Sequence, residues 1–266
     1  MDTTNLLLYR SIVDFYCIRL MSNFRPTADH QKCGTEAMRP PDVDSLIEKL
    51  HVVPVFERLE VDVLAVVAQR AVWREYEAGA IVFLEGDTPR GFYYLHSGWL
   101  KEVKISQEGR EQILQYLGPG EIFNYMGIFV GRPNPATAIA LEPAGVWLLQ
   151  RESFQQVLAT NPNLGVRVAE ALADYVVHLV QLVSDLSLHT VEARLAQRLL
   201  AQAEADVVVR QRWATQAEMA ARLGTVPDVI GRVLQKFVEE QLIRVERQRI
   251  WILNRAGLAA KARLES

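Results

Sequence analysis

Residues 214–253, ATQAEMAARLGTVPDVIGRVLQKFVEEQLIRVERQRIWIL, constrain what this chain can fold into more than any other stretch. Ala217, Met219, Ala220 and Leu223 keep an apolar helical spacing that stops at Gly224. A second such run follows through Val229, Ile230, Val233, Leu234, Phe237 and Val238. The spacing predicts two short helices around a tight turn. Thr225, with Asp228 three residues on, puts an acidic side chain at a helix start, and Pro227 is tolerated only in a first turn, so the second helix begins there. Beyond it, Leu242, Val245, Ile250 and Ile252 around the polar Arg247-Gln248-Arg249 read as a small antiparallel ribbon. Two helices, a turn and a ribbon make a winged helix-turn-helix, a shape that lays its second helix in a DNA major groove.

A helix, a glycine and a second helix also occur in all-α proteins with no DNA to read, so charge has to decide. Residues 190–266 hold 13 Lys and Arg against 9 Asp and Glu, whereas residues 1–189 hold 16 against 23. The net charge of −3 hides that split. A locally basic module on an acidic chain suits a phosphate-facing surface. Asp228 and Arg232 stand one helical turn apart, opposite the Ile230, Val233 and Phe237 side that packs inward. An arginine so placed can take a guanine edge, and a carboxylate can accept from the cytosine amino group. These two are expected to read bases, with Thr215, Gln216 and Lys236 on the DNA backbone.

With 266 residues, 50% of them hydrophobic, the chain can hold two modest domains, each with its own core. Residues 6–21, LLLYRSIVDFYCIRLM, are the candidate targeting segment, but Arg10, Asp14 and Arg19 interrupt the apolar run, so neither secretion nor a membrane span is expected. Cys17 and Cys33 suit neither a zinc site nor a thiolate-bound cluster, and the expected compartment is a reducing cytoplasm. The sequence carries no nucleophile elbow, no metal-binding His-Glu set and no framed pair of carboxylates, so no enzyme and no metal site are expected.

Residues 1–42 read as an extension without a partner elsewhere in the chain, with Met21 and Met38 as alternative beginnings, and residues 43–72 carry helical spacing. From 73 to 151 the texture changes to short β-rich runs such as Phe92-Tyr93-Tyr94-Leu95 and Val146-Trp147-Leu148-Leu149, punctuated by glycines. That is the pattern of a β-barrel or jelly roll. After Asn161-Pro162, the residues Val168, Leu172, Tyr175, Leu179, Leu182 and Leu186 recur at heptad spacing and are expected to form a dimer seam. Val176, Val177, Val180 and Val183 make the opposite face apolar as well, so this helix has two surfaces to bury, one on its own barrel and one on a partner. The fold class is therefore α+β: an extension to residue 42, a β-roll sensor domain over 43–160, a dimerisation helix over 161–189 and a winged helix-turn-helix over 190–266.

This order, with GAIVFLEGDTPRGFYYLHSGWLKEVKISQEGREQILQYLGPGEIF in the roll and AEMAARLGTVPDVIGRVLQKFVEEQLI near the end, resembles the superfamily of bacterial transcription factors that includes the cyclic AMP receptor protein and the fumarate–nitrate reductase regulator. The resemblance covers about residues 43–255. It implies a homodimer on an inverted-repeat DNA site, RNA polymerase as a partner, and a Glu and an Arg as base readers at positions 228 and 232, where this chain has Asp228 and Arg232. In members that bind cyclic nucleotides, a Gly-Glu pair holds the ribose and an Arg followed by Ser or Ala holds the phosphate. Here Asn124-Tyr125 and Pro135-Ala136 stand in those places, and Leu179 and Val180 replace the hydroxyl pair that faces adenine. A phosphate without a cationic or N–H partner is costly to bury, so the effector is expected not to be cyclic AMP.

What remains is a candidate effector pocket around Tyr125, Met126, Asn134, Pro135, Ala136 and Leu179, apolar with a few polar handles. The alternatives are a filled core that binds nothing and a haem-type gas sensor using Met126, His96 or His178. A further alternative is a regulatory subunit that acts on a protein partner; the basic excess and Arg232 weigh against it.

Overall fold

The computed structural model describes residues 41–124 and 132–263. Between residues 72 and 150 the chain forms β1 (Val72–Tyr76), β2 (Ile81–Phe83), β3 (Gly91–Ser97), β4 (Leu100–Ile105), β5 (Glu111–Leu117), β6 (Ile122–Phe123), β7 (Thr137–Ala140) and β8 (Ala144–Gln150). They make two antiparallel sheets, ordered β1-β8-β3-β6 and β2-β7-β4-β5. Side chains alternate across a strand, and both faces of β3 are buried. Tyr93 and Leu95 join Phe83, Leu100, Leu117, Phe123 and Val146 inside the roll. Phe92 and Tyr94 point the other way, toward the helices. This is why β3 reads as an unbroken apolar run. The Gly98 turn has φ +83, and a Cβ there would lie 2.5 Å from the Pro143 carbonyl oxygen, so a side chain has no room.

Four helices cover the β1-β8-β3-β6 sheet: α1 (Val43–His51), α2 (Val61–Ala68), α3 (Arg151–Thr160) and α4 (Pro162–Leu188). Asp42 starts α1 by accepting from the Ser45 N–H at 2.6 Å, as a cap should. Leu46, Leu50, Leu64, Phe154, Leu164 and Val168 from these helices close on Phe92, Tyr94 and Trp147.

The structure shows which face of α4 looks inward. Val168 and Leu182 are buried, Leu172 packs on the helical core, and Tyr175, Leu179 and Leu186 are half-buried. The stripe read from sequence as the dimer seam is therefore the one turned toward the chain's own fold. The exposed stripe is Val166, Ala169, Ala173, Val176, Val180 and Val183, which steps by 3 and 4 as a heptad should. Its valines are 57–64% exposed. By length and composition α4 could also cross a membrane, with a mean hydropathy of 1.3 in its most apolar window.

The C-terminal part comprises α5 (Val191–Gln202), β9 (Val207–Val209), α6 (Gln216–Arg222), α7 (Pro227–Glu239), β10 (Ile243–Val245), β11 (Arg249–Ile252) and α8 (Arg255–Ala262). The expected ribbon is β10 and β11, joined by β9 in a sheet ordered β10-β11-β9. Strand β9 was not expected; Val208 anchors it by burial and by pairing with Ile250. The chain clusters into two compact units. Among the described residues, one holds those within 41–191 and 211–233, and the other holds 192–210 and 234–263. The helix-turn-helix is thus divided: α6, the turn and the start of α7 belong with the roll.

Candidate nucleic-acid interface

Thr215 opens α6 by accepting from the Glu218 N–H at 3.2 Å. At its other end Gly224 takes φ +64, and the Thr225 N–H closes on the Ala220 carbonyl at 2.9 Å. This is the left-handed glycine stop that lets two helices meet at a sharp angle. The chain enters α7 at Val226, whose carbonyl accepts from Val229 and Ile230, with Pro227 in the first turn.

On α7, Ile230, Leu234 and Phe237 are buried, while Asp228, Arg232, Gln235 and Lys236 are exposed. The two expected base readers thus share the outward face one turn apart. Arg232 lies back along the helix, its Nε donating to the Asp228 carbonyl at 3.4 Å, a long bond that a base edge can replace. Gln216 and Thr215 are both exposed. Lys236 donates to Glu192 at 2.6 Å, so the expected backbone contact is also a fold-supporting ion pair. Glu192 meets Lys261 at 3.2 Å as well.

The ribbon adds basic groups to which the sequence assigns no role. Arg244, Arg247 and Arg249 are exposed on β10, β11 and the loop between them, and Arg244 lies 5.2 Å from the centre of the Trp251 ring. Spacing alone could not single them out, because three arginines on a short ribbon read equally well as a solvated edge.

Of the expected effector pocket, Tyr125 and Met126 lie outside the described residues. Asn134 is buried and accepts from Asn124 Nδ2 at 3.0 Å, while its own Nδ2 donates to the Leu84 carbonyl at 3.2 Å. Asn124 has φ +59, a conformation asparagine tolerates better than most residues with a side chain. Ala136 is buried, but Pro135 is exposed and its carbonyl accepts from Lys104 at 3.2 Å. Lys104 is in turn paired with Glu85. His178 on α4 lies 3.0 Å from the Leu114 carbonyl, and Leu179 beside it in sequence is half-buried. Burial holds the His178 imidazole below its usual range, and His96 is lowered the same way and packs edge-on to Trp73.

Sequence reasoning missed Glu102 altogether. Its neighbours along and across β4 are Leu100 and Ala138, both in the roll's inner core, and it is paired in register with Gln115. Glu102 is therefore a carboxyl on the inner face, accepting from Gln115 Nε2 at 2.7 Å. Burial pushes its pKa up to about 7.

A roll of this topology followed by a long helix and a winged helix-turn-helix defines a sensor-linked DNA-binding regulator. Residues 73–161 match the family described as "Cyclic nucleotide-binding domain", and residues 193–261 match "Crp-like helix-turn-helix domain". The chain belongs to the Crp/Fnr family of transcription regulators. The "CRP-like cAMP-activated global transcriptional regulator" of Mycobacterium tuberculosis is 24% identical over 215 residues, covering 79% of this chain and 96% of that protein. From the same organism, "HTH-type transcriptional regulator Cmr" is 29% identical over 203 residues, covering 76% and 80%. Among solved structures, FixK2 from Bradyrhizobium japonicum has the same fold, with a TM-score of 0.64 at 19% identity, covering 74% of this chain and 99% of that one. The protein is a DNA-binding transcription regulator.

Proposed function

We propose that this regulator works in the cytoplasm as a homodimer, reads an inverted repeat through Asp228 and Arg232, and engages RNA polymerase from that site. The observation that carries base reading is the exposed pair on α7, free of the apolar side that Ile230 and Phe237 commit to the core. The exposed Val166–Val183 heptad supports the dimer: the chain's own fold leaves this apolar stripe exposed, and its alanines let helix backbones come close. Arg247 and Arg249 serve the phosphates.

The roll senses something other than cyclic AMP. The M. tuberculosis relative is named as cAMP-activated. This chain puts Pro135 where the phosphate needs a cation, ties the nearby Lys104 to Glu85, and carries the Glu102 carboxyl on the inner face, which disfavours an anion. The relatives are regulators rather than enzymes, and no catalytic role is proposed.

Replacing Val180 by Glu puts a charge in the exposed heptad while leaving the packed stripe alone. Sedimentation should show a monomer that no longer retards an inverted-repeat fragment. A Val180→Glu dimer with wild-type DNA affinity would contradict the reading.

A further inference from the structure

Strand β4 carries two successive charged residues with opposite addresses. Glu102 faces into the roll, so Lys101 must face out, yet only 7% of the Lys101 side chain is exposed. It is covered by α6. Lys101 Nζ lies 2.5 Å from Glu111 Oε2 on β5 and 2.9 Å from Glu218 Oε1 on α6. Burial alone would lower the ammonium, but its hydrogen bonds to Glu111 and Glu218 outweigh that and raise it, so the charge stays on. Around this pin the outer face of β4 and β5 forms a seat for the helix. Arg222 donates to the carbonyls of Ile113, at 3.1 Å, and Leu114. Tyr116 donates to the Glu218 carbonyl at 3.3 Å, and Arg110 reaches the Gly224 carbonyl at 2.7 Å. Ala221 packs on Val103 and Ile113, and the Trp213 ring lies 5.1 Å from Tyr116 and 5.7 Å from Trp99.

Two features fix what the seat does. Every one of these contacts joins the roll to residues 213–224, within one compact unit, so α6 is held as part of the roll. Asp228 and Arg232 remain exposed while α6 is seated, so seating leaves the two expected base readers accessible.

We propose that Lys101 is a positioning residue for DNA reading: by clamping Glu218 onto the outer face of β4 and β5, it sets the aim of α7 and so the half-site spacing that the dimer accepts. Lys101 itself is too deeply covered to touch DNA. Without the pin, Glu111 and Glu218 are left as an unneutralised pair under α6, and the helix samples several orientations. Each orientation presents α7 at a different separation from its two-fold mate.

The test uses the full-length protein and a DNA pool in which two half-sites are separated by a variable spacer. Wild type should select one spacer length. Lys101→Ala should accept neighbouring lengths, bind the best site roughly tenfold more weakly, as expected for loss of one charge-assisted hydrogen bond, and keep the half-site motif unchanged. Lys101→Arg should restore the single spacing. Glu218→Ala removes the acceptor on α6 but keeps the Lys101–Glu111 pair, and so the strand, and should broaden the spacing too even where Lys101→Ala fails to fold. A purely structural role would lower stability and leave spacing alone. The proposal rests on the dimer reading, and the two fail differently. A wild type without spacing preference sinks the dimer, whereas a wild-type preference unmoved in folded Lys101→Ala or in Glu218→Ala, or tighter DNA binding by either, sinks the pin.

Discussion

Glu102→Gln should make the protein more stable at neutral pH, and the size of the effect follows from the roll's interior. The Glu102 carboxyl is shifted from 4.5 to about 7 by burial. Below pH 4.5 the acid is protonated whether the chain is folded or not. Between 4.5 and 7 the native state holds a proton that the unfolded state has released, so stability falls as pH rises; above 7 the loss is complete. At 1.36 kcal/mol for each unit, that loss comes to ~3 kcal/mol. Gln cannot ionise, and its amide oxygen can still accept from Gln115, so the variant keeps the hydrogen bond and escapes the penalty. Glu121 is raised by burial too, partly offset by the Gly118 N–H it accepts from, and the Glu102 charge pushes it further up. Removing Glu102 therefore relieves its neighbour in the same direction. The assay is urea unfolding followed by tryptophan fluorescence at steps from pH 5 to pH 8. The variant's advantage should be small at pH 5 and approach ~3 kcal/mol at pH 8. An advantage independent of pH, or a less stable variant at pH 8, would refute the placement of a burdened carboxyl inside the roll.

Calorimetry with cyclic AMP should give no dissociation constant at or below the micromolar range, equivalent to about −8 kcal/mol; tighter binding would show that another group replaces the cation missing at Pro135. The two faces of α4 should respond differently to charge. Leu179→Glu, on the half-buried face, should lower the melting temperature of the roll, whereas Val180→Glu should change the sedimentation coefficient with little effect on melting; a reversal would restore the inward stripe as the seam.

The helix-turn-helix was legible because its signals are local. Gly224 at a left-handed stop and Pro227 in a first turn are conformational demands that three neighbouring residues reveal. The roll was legible as texture, since Phe92-Tyr93-Tyr94-Leu95 must bury both faces of a strand. Which face of α4 packs on the chain's own fold was not. A helix apolar all round offers two heptad stripes, and only packing shows that the bulkier Leu and Tyr side chains turn inward while the valines stay out. Strand β9 escaped because three valines carry no period of their own; β11 supplies the pairing. Lys101 and Glu218 are 117 residues apart, beyond any spacing rule. Glu102 did leave a trace. Two adjacent charges between Leu100 and Val103 on one strand force one of them inward, and that conflict was there to be read.

The central claim is that Arg232 reads a base. Selection from random DNA, run in parallel for the wild type, Arg232→Ala and Lys236→Ala, tests it most directly. The wild type should return an inverted repeat with half-sites about one DNA turn apart, ~34 Å. Arg232→Ala should bind ~1–3 kcal/mol more weakly and lose its preference at one base pair in each half-site, while Lys236→Ala should weaken all sequences alike and flatten the salt dependence. An unchanged motif selected by Arg232→Ala would contradict the account.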